Sequence, residues 1–180
     1  MKKIIVKVKL KNHEDFEKRL SDIELNFSDI IWQHDRVYVP KGFKSGMNYP
    51  RIIMRTEMKA VDKPAKYIMI LKRHIEDSGV NIVDETGVKD YVEGVNIVHQ
   101  LGFKKIAEVS RRRQELSMGD GVMMFIDKVE DIPGFYAKLE SEISGKENVS
   151  EVVEDLTRTF KVLKAGEVVE KPYFEFLKNE

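Results

Sequence analysis

The chain has 180 residues, enough for one domain with a core of its own and short for two. Its 31 Lys and Arg balance 31 Asp and Glu, which argues against a sequence-blind nucleic-acid binder but leaves room for a local cationic site. Cysteine is absent, so disulfides and thiolate metal sites are excluded, and no apolar run reaches the length of a membrane span. Lys2 and Lys3 lead straight into alternating residues without the apolar core of a signal peptide, and the expectation is a cytoplasmic protein.

Val6, Val8 and Leu10 alternate with Lys7, Lys9 and Lys11, which predicts a strand with one apolar and one cationic face. Asn12, with Asp15 three positions on, predicts an N-cap and a helix whose Phe16, Leu20 and Ile23 share a face. Strands are expected over residues 30–39, 50–59 and 66–75, separated by a loop at 41–46 and a turn at Asp62-Lys63-Pro64, with a shorter strand at 81–85. A helix over about 89–101 turns Val92, Val95 and Val98 or His99 inward, with Gly102 at its C-terminal side. Residues 103–115 and 122–129 read as a hairpin around Met118-Gly119-Asp120-Gly121. A further helix over 150–164 presents Val153, Leu156, Phe160 and Leu163 on one side, and the tail around Tyr173-Phe174-Glu175-Phe176-Leu177 is apolar enough to dock. No repeat or low-complexity run interrupts this, the only candidate hinge is 142–150, and residues 1–180 are expected to form a single domain of antiparallel strands with covering helices.

The cations fall in a pattern. Lys7, Lys9 and Lys11 share parity, as do Arg51 and Arg55, Lys72 and His74, and Arg111 and Arg113. On one strand such alternation describes a solvent face. Agreement across four strands points instead to one shared cavity, provided the sheet closes on itself. Carboxylates on the same or neighbouring strands are Asp35, Glu57, Glu85 and Asp127. A cavity of cations without an anion repels itself, by about 4 kcal/mol for a pair 4 Å apart at an effective dielectric of 20. Carboxylates offset part of that and a polyphosphate offsets more.

The order of motifs resembles the CYTH superfamily, the triphosphate tunnel enzymes that include class IV adenylyl cyclases and thiamine triphosphatases. Lys7-Val8-Lys9-Leu10-Lys11 stands where that family has Glu-x-Glu-x-Lys, and Gln33-His34-Asp35-Arg36-Val37-Tyr38 is similar to its Gln-x-Asp-x-Tyr-aromatic strand. Ile53-Met54-Arg55, Leu71-Lys72-Arg73, Asp84-Glu85-Thr86 and Leu101-Gly102-Phe103 resemble the segments that follow. Ser110 to Leu116, Ile126-Asp127-Lys128-Val129 with Pro133-Gly134-Phe135, and Lys171-Pro172-Tyr173-Phe174-Glu175-Phe176-Leu177 complete the series. The resemblance implies an α+β fold: a closed or nearly closed eight-stranded antiparallel β-barrel, open as a tunnel, with helices packed outside. It also implies phosphate contacts from Lys11, Arg55, Lys72, Arg111 and Arg113, with Lys7 and Lys9 as added cations.

The departures carry as much. Both N-terminal glutamates of the family are replaced by Lys7 and Lys9, and Phe135-Tyr136-Ala137-Lys138-Leu139 lacks the acids of its Phe-x-Glu-Ile-Glu strand. Glu140 is displaced by one, which is expected to turn it to the opposite face, and Phe135, Leu139 and Ile143 also suit a helix, so the segment is open between strand and helix. Glu85 and Asp127 remain as metal ligands for Mg²⁺ or Mn²⁺, a depleted set for hard cations that need several oxygens. No general base stands out, His74 included. The expectation is a divergent member that binds a triphosphate, polyphosphate or nucleotide in a basic lumen with catalysis weakened or lost. The alternatives are an active metal-dependent organic triphosphatase or class IV adenylyl cyclase, and a non-enzymatic interaction module.

Overall fold

Strand β1 (Lys2–Leu10) keeps the predicted alternation, with Ile4, Val6, Val8 and Leu10 buried. In the computed structural model, which describes residues 2–44, 49–59, 63–74, 80–144 and 146–177, it is one stave of a closed antiparallel sheet. The others are β2 (Ile31–Pro40), β3 (Arg51–Met58), β4 (Lys66–His74), β5 (Val80–Gly87), β6 (Phe103–Gly119), β7 (Val122–Val129) and β8 (Tyr136–Ile143). They run in the order β5-β4-β3-β2-β6-β7-β8-β1, and Lys2 to Ile4 of β1 pair back to β5, so the eight-stranded sheet closes on itself. Closure leaves few edges and gives the sheet an inner and an outer face.

Helices cover part of the outside. Helix α1 (His13–Ser21) starts at Asn12, whose side chain accepts from the Asp15 amide at 3.2 Å, and buries Phe16 and Leu20. Helix α3 (Val149–Val162) is capped by Asn148 and buries Leu156 and Phe160. Both pack on the apolar faces of β1, β7 and β8, against Val6, Val8, Met124, Ile126 and Leu139. Each fully buried side chain of that kind contributes about 1.5–3 kcal/mol. Helix α2 (Tyr91–Gln100), capped by Asp90, sets Val98 on Tyr38, Ile52 and Met54.

Several boundaries move. Ile23 lies beyond α1 and Val92 is 66% exposed, because Gly94 and Val98 form the buried stripe of α2. β6 extends to Gly119, where Gly119, Asp120 and Gly121 take φ of 86°, 48° and 74° to close the expected hairpin. Asp62, Ser45, Gly46 and Ile75, which fall in the predicted turn, loop and strand, lie outside the described residues.

The segment left open between strand and helix is strand β8. Ala137 and Leu139 face the helices and are wholly buried, so Tyr136, Lys138 and Glu140 turn inward. Glu140 therefore faces the lumen, contrary to the expected flip. The burial of Ala137 and Leu139 sets the parity of the whole strand.

The C-terminal part closes one end of the barrel. A short strand, β9 (Gly166–Val168), pairs with Val8 to Leu10 of β1, and one turn of helix, α4 (Tyr173–Phe176), follows. Phe174 is buried in a cluster with Val37, Val109, Val129, Ile132 and Tyr136. Val37, Val109 and Val129 lie on the inward face by their pairing, so α4 acts as an apolar stopper.

Candidate functional site in the barrel lumen

Residues directly opposed across an antiparallel ladder share a face, which fixes what lines the lumen. Lys7 faces Lys138, which faces Phe125; Asp127 faces Arg113; Arg111 faces Gln33; Asp35 faces Arg55; and Arg51 faces Lys72. The structure thus brings Lys7, Arg55, Lys72, Arg111 and Arg113 to one inner face. Lys9 shares that parity but is exposed at the rim, its stem passing Gly134. Lys11 falls past the end of β1 and is exposed outside the lumen. Glu85, on β5, is exposed and three strands round the wall from Asp127 on β7.

The arginines are matched by carboxylates. Arg113 grips Asp127 through two bonds of 2.7 Å, and Arg55 grips Asp35 at 2.7 and 3.0 Å. Arg111 reaches Asp35 at 2.8 Å and the Gln33 side-chain carbonyl at 2.9 Å, while the Gln33 amide donates to Glu57 at 2.8 Å. Tyr173, from α4, donates its hydroxyl to Asp127 at 3.0 Å and ties the stopper to this network. Burial pushes both aspartates up, but the adjoining guanidiniums outweigh it and hold their carboxyls well below the usual range. Burial, and then the charge of Asp127, push the Tyr173 phenol well up, so it stays protonated as a donor.

The lysines are matched poorly. Lys138 and Lys3 share Glu140, at 2.5 and 3.2 Å. Lys7 donates to the Lys171 carbonyl and lies 4.4 Å from the Tyr173 ring centroid. Arg51 stacks over Phe174 at 5.5 Å. Neither Lys7, Arg51 nor Lys72 has a carboxylate within ion-pair distance among the described residues. Burial and the positive charge of Lys138 lower Lys7 to about 8; burial, Lys138 and Arg51 lower Lys72 to about 7; burial and Arg113 lower Lys138 to about 8. Lys7, Arg51, Lys72 and Lys138 form a cluster of mutually repelling cations beside the stopper.

The donor set does not suit a divalent metal. Both oxygens of Asp35, Asp127 and Glu140 already accept charge-assisted bonds from Arg or Lys. Among the described residues no three acidic or histidine side chains are placed to share an ion. Asp127, named from sequence as a ligand, is a partner of Arg113 instead, and Glu85 does not approach it.

No family model and no curated protein sequence matches the chain. Solved structures do. A Pyrococcus horikoshii protein matches with a TM-score of 0.83 at 17% identity, covering 97% of each chain. A proposed adenylyl cyclase from Hippeastrum with a dominant triphosphatase activity matches at 0.62 and 14%, covering 98% of this chain and 94% of that one. The chain has the CYTH fold. A chain of the Schizosaccharomyces pombe Mediator head module matches at 0.64 and 13%, covering 94% of this chain and all of that one. The same fold therefore occurs in an enzyme and in a part of a large assembly, and what this chain does rests on its own lumen.

Three contributors, Lys138, Glu140 and Tyr173, are not read from the sequence, and Arg51 is placed there, by its parity with Arg55, on the cationic face without a phosphate contact. Lys138 was noted as a lost acid, although opposition to Lys7 makes it part of the cluster. Glu140 and Tyr173 depend on the register of β8 and the path of the tail, which no local pattern specifies.

Proposed function

We propose that this CYTH barrel binds a triphosphate or inorganic polyphosphate in its lumen without a divalent metal, and that catalysis is weakened or lost. One observation carries the reading: Lys7, Arg51 and Lys72 face the lumen with no carboxylate within ion-pair distance among the described residues, Glu175 acting on Lys7 and Arg51 only from farther off, beside a Lys138 that shares its own. Such a cluster is destabilising alone and is relieved by an anion with several charges, through charge-assisted bonds. Arg55, Arg111 and Arg113, three guanidiniums held by Asp35 and Asp127, form a largely neutralised wall that keeps the fold in place. The likeness to the Hippeastrum triphosphatase supports a triphosphate as the ligand class.

A ligand that binds only the folded chain stabilises it by about 2.7 kcal/mol at a hundred times its dissociation constant, which is several degrees of melting temperature. Tripolyphosphate is expected to give that shift in chelator, and Lys72→Met is expected to abolish most of it. Absence of any shift at low salt would refute the lumen site. Robust metal-dependent turnover of ATP or tripolyphosphate would establish an active triphosphatase instead.

A further inference from the structure

Lys72 can leave the repelling cluster by giving up a proton, and unlike Lys7, bound to the Lys171 carbonyl, and Lys138, bound to Glu140, it has no partner among the described residues to lose by doing so. Arg51, directly across on β3, cannot, because a guanidinium stays charged throughout the physiological range. Around Lys72 are Arg51, Lys7 and Lys138, one carboxylate (Glu140, already shared by Lys3 and Lys138), His74 two residues along β4 and the apolar Val83 opposite on β5. The Lys72 ammonium has no hydrogen bond or ion pair among the described residues, and its side chain is half-buried. A lysine lowered to about 7 is roughly half neutral at neutral pH, against about one part in a few thousand for an ordinary surface lysine.

A neutral amine beside fixed cations is a nucleophile with an anion grip built next to it. We propose that Lys72 is an imine-forming lysine for a phosphorylated aldehyde, with Arg51, Lys7 and Lys138 holding the phosphate while Nζ condenses with the carbonyl. The nitrogen lone pair adds to the carbonyl carbon and a C–N bond forms. The former carbonyl oxygen takes up two protons and leaves as water, so the C=N bond forms without oxidant or reductant. The inference rests on the anion site proposed above and adds the reacting atom and the substrate class.

Pyridoxal 5′-phosphate is the probe, added to the whole chain at pH 7.5, trapped with borohydride and mapped by peptide mass spectrometry. One dominant adduct on Lys72 is expected, about tenfold or more above that on any exposed lysine and about threefold above Lys7 and Lys138, which are also lowered but keep hydrogen-bond partners. Pyridoxal, which lacks the phosphate, is expected to label it at least about tenfold less, and tripolyphosphate is expected to protect it. Lys72→Arg should remove the adduct, and tripolyphosphate binding by the unmodified chain is measured alongside by calorimetry. Labelling spread evenly over the lysines, or equal labelling of Lys72 by pyridoxal and its phosphate, overturns the proposal. If tripolyphosphate binds while Lys72 stays unlabelled, the imine alone is wrong; if tripolyphosphate does not bind, the anion site itself is wrong.

Discussion

Asp127 is wholly buried, and its two oxygens take bonds from both ends of the Arg113 fork and from Tyr173. Neutralising it leaves a buried guanidinium without its counter-charge, so Asp127→Asn should cost about 3–5 kcal/mol in urea unfolding. The lysines behave in the opposite sense. Lys72 is lowered in the folded chain, so binding an anion must restore its proton, and affinity should fall as pH rises above about 7. Tripolyphosphate titrations should show at least about a tenfold loss per pH unit between 8 and 9, Lys7 and Lys138 (both lowered to about 8) adding to the net proton uptake seen in buffers of different ionisation enthalpy. An affinity flat across that range would mean that Lys72 is not in the site. Within the alternating run, Lys7→Ala should weaken tripolyphosphate about tenfold or more, whereas Lys9→Ala and Lys11→Ala, at the rim and beyond the strand, should leave it near the original value. Parity in the sequence put Lys7 and Lys9 on one face correctly, but Lys11 lies past the end of the strand, and parity shows neither where a strand stops nor how deep each position lies. That depth separates a ligand contact from a solvated charge.

At the scale of elements, the informative piece is the C-terminal one. β9 adds to β1 so closely that a Cβ on Gly166 would sit 1.8 Å from the Lys9 carbonyl oxygen, where backbone cannot yield cheaply. Gly166→Ala should therefore detach β9 and loosen α4, seen as faster hydrogen exchange of Lys11, whose amide donates to Ala165, and of Val169, whose amide donates to Lys7. Unchanged exchange at both amides would show that the backbone accommodates the methyl group. The main strands and helices were legible because each carries its own period: alternation in β1 to β4, and a Phe16 and Leu20 or Leu156 and Phe160 stripe in α1 and α3. β8 was not. Tyr136 to Ile143 carries apolar residues at spacings compatible with both periods, and only packing of Ala137 and Leu139 under the helices selects the strand and turns Lys138 and Glu140 inward. β9, three residues long, has no period to read.

For the molecule as a whole, zero net charge conceals a separation: carboxylates pair with the arginines on one arc of the lumen, and lysines crowd the other. The closed sheet makes that separation consequential, since it points both sets into one space. Family resemblance alone implies a metal among acidic side chains; this lumen puts Lys7 and Lys138 opposite one another and binds its acids to arginine and lysine. Such a lumen should bind a polyanion without a metal. Calorimetric titration of tripolyphosphate in chelator, repeated with excess Mg²⁺, tests it most directly. The same site should bind in chelator, with affinity unchanged or lowered once Mg²⁺ complexes the ligand, and without turnover. Binding that appears only with Mg²⁺, accompanied by release of phosphate, would contradict the account.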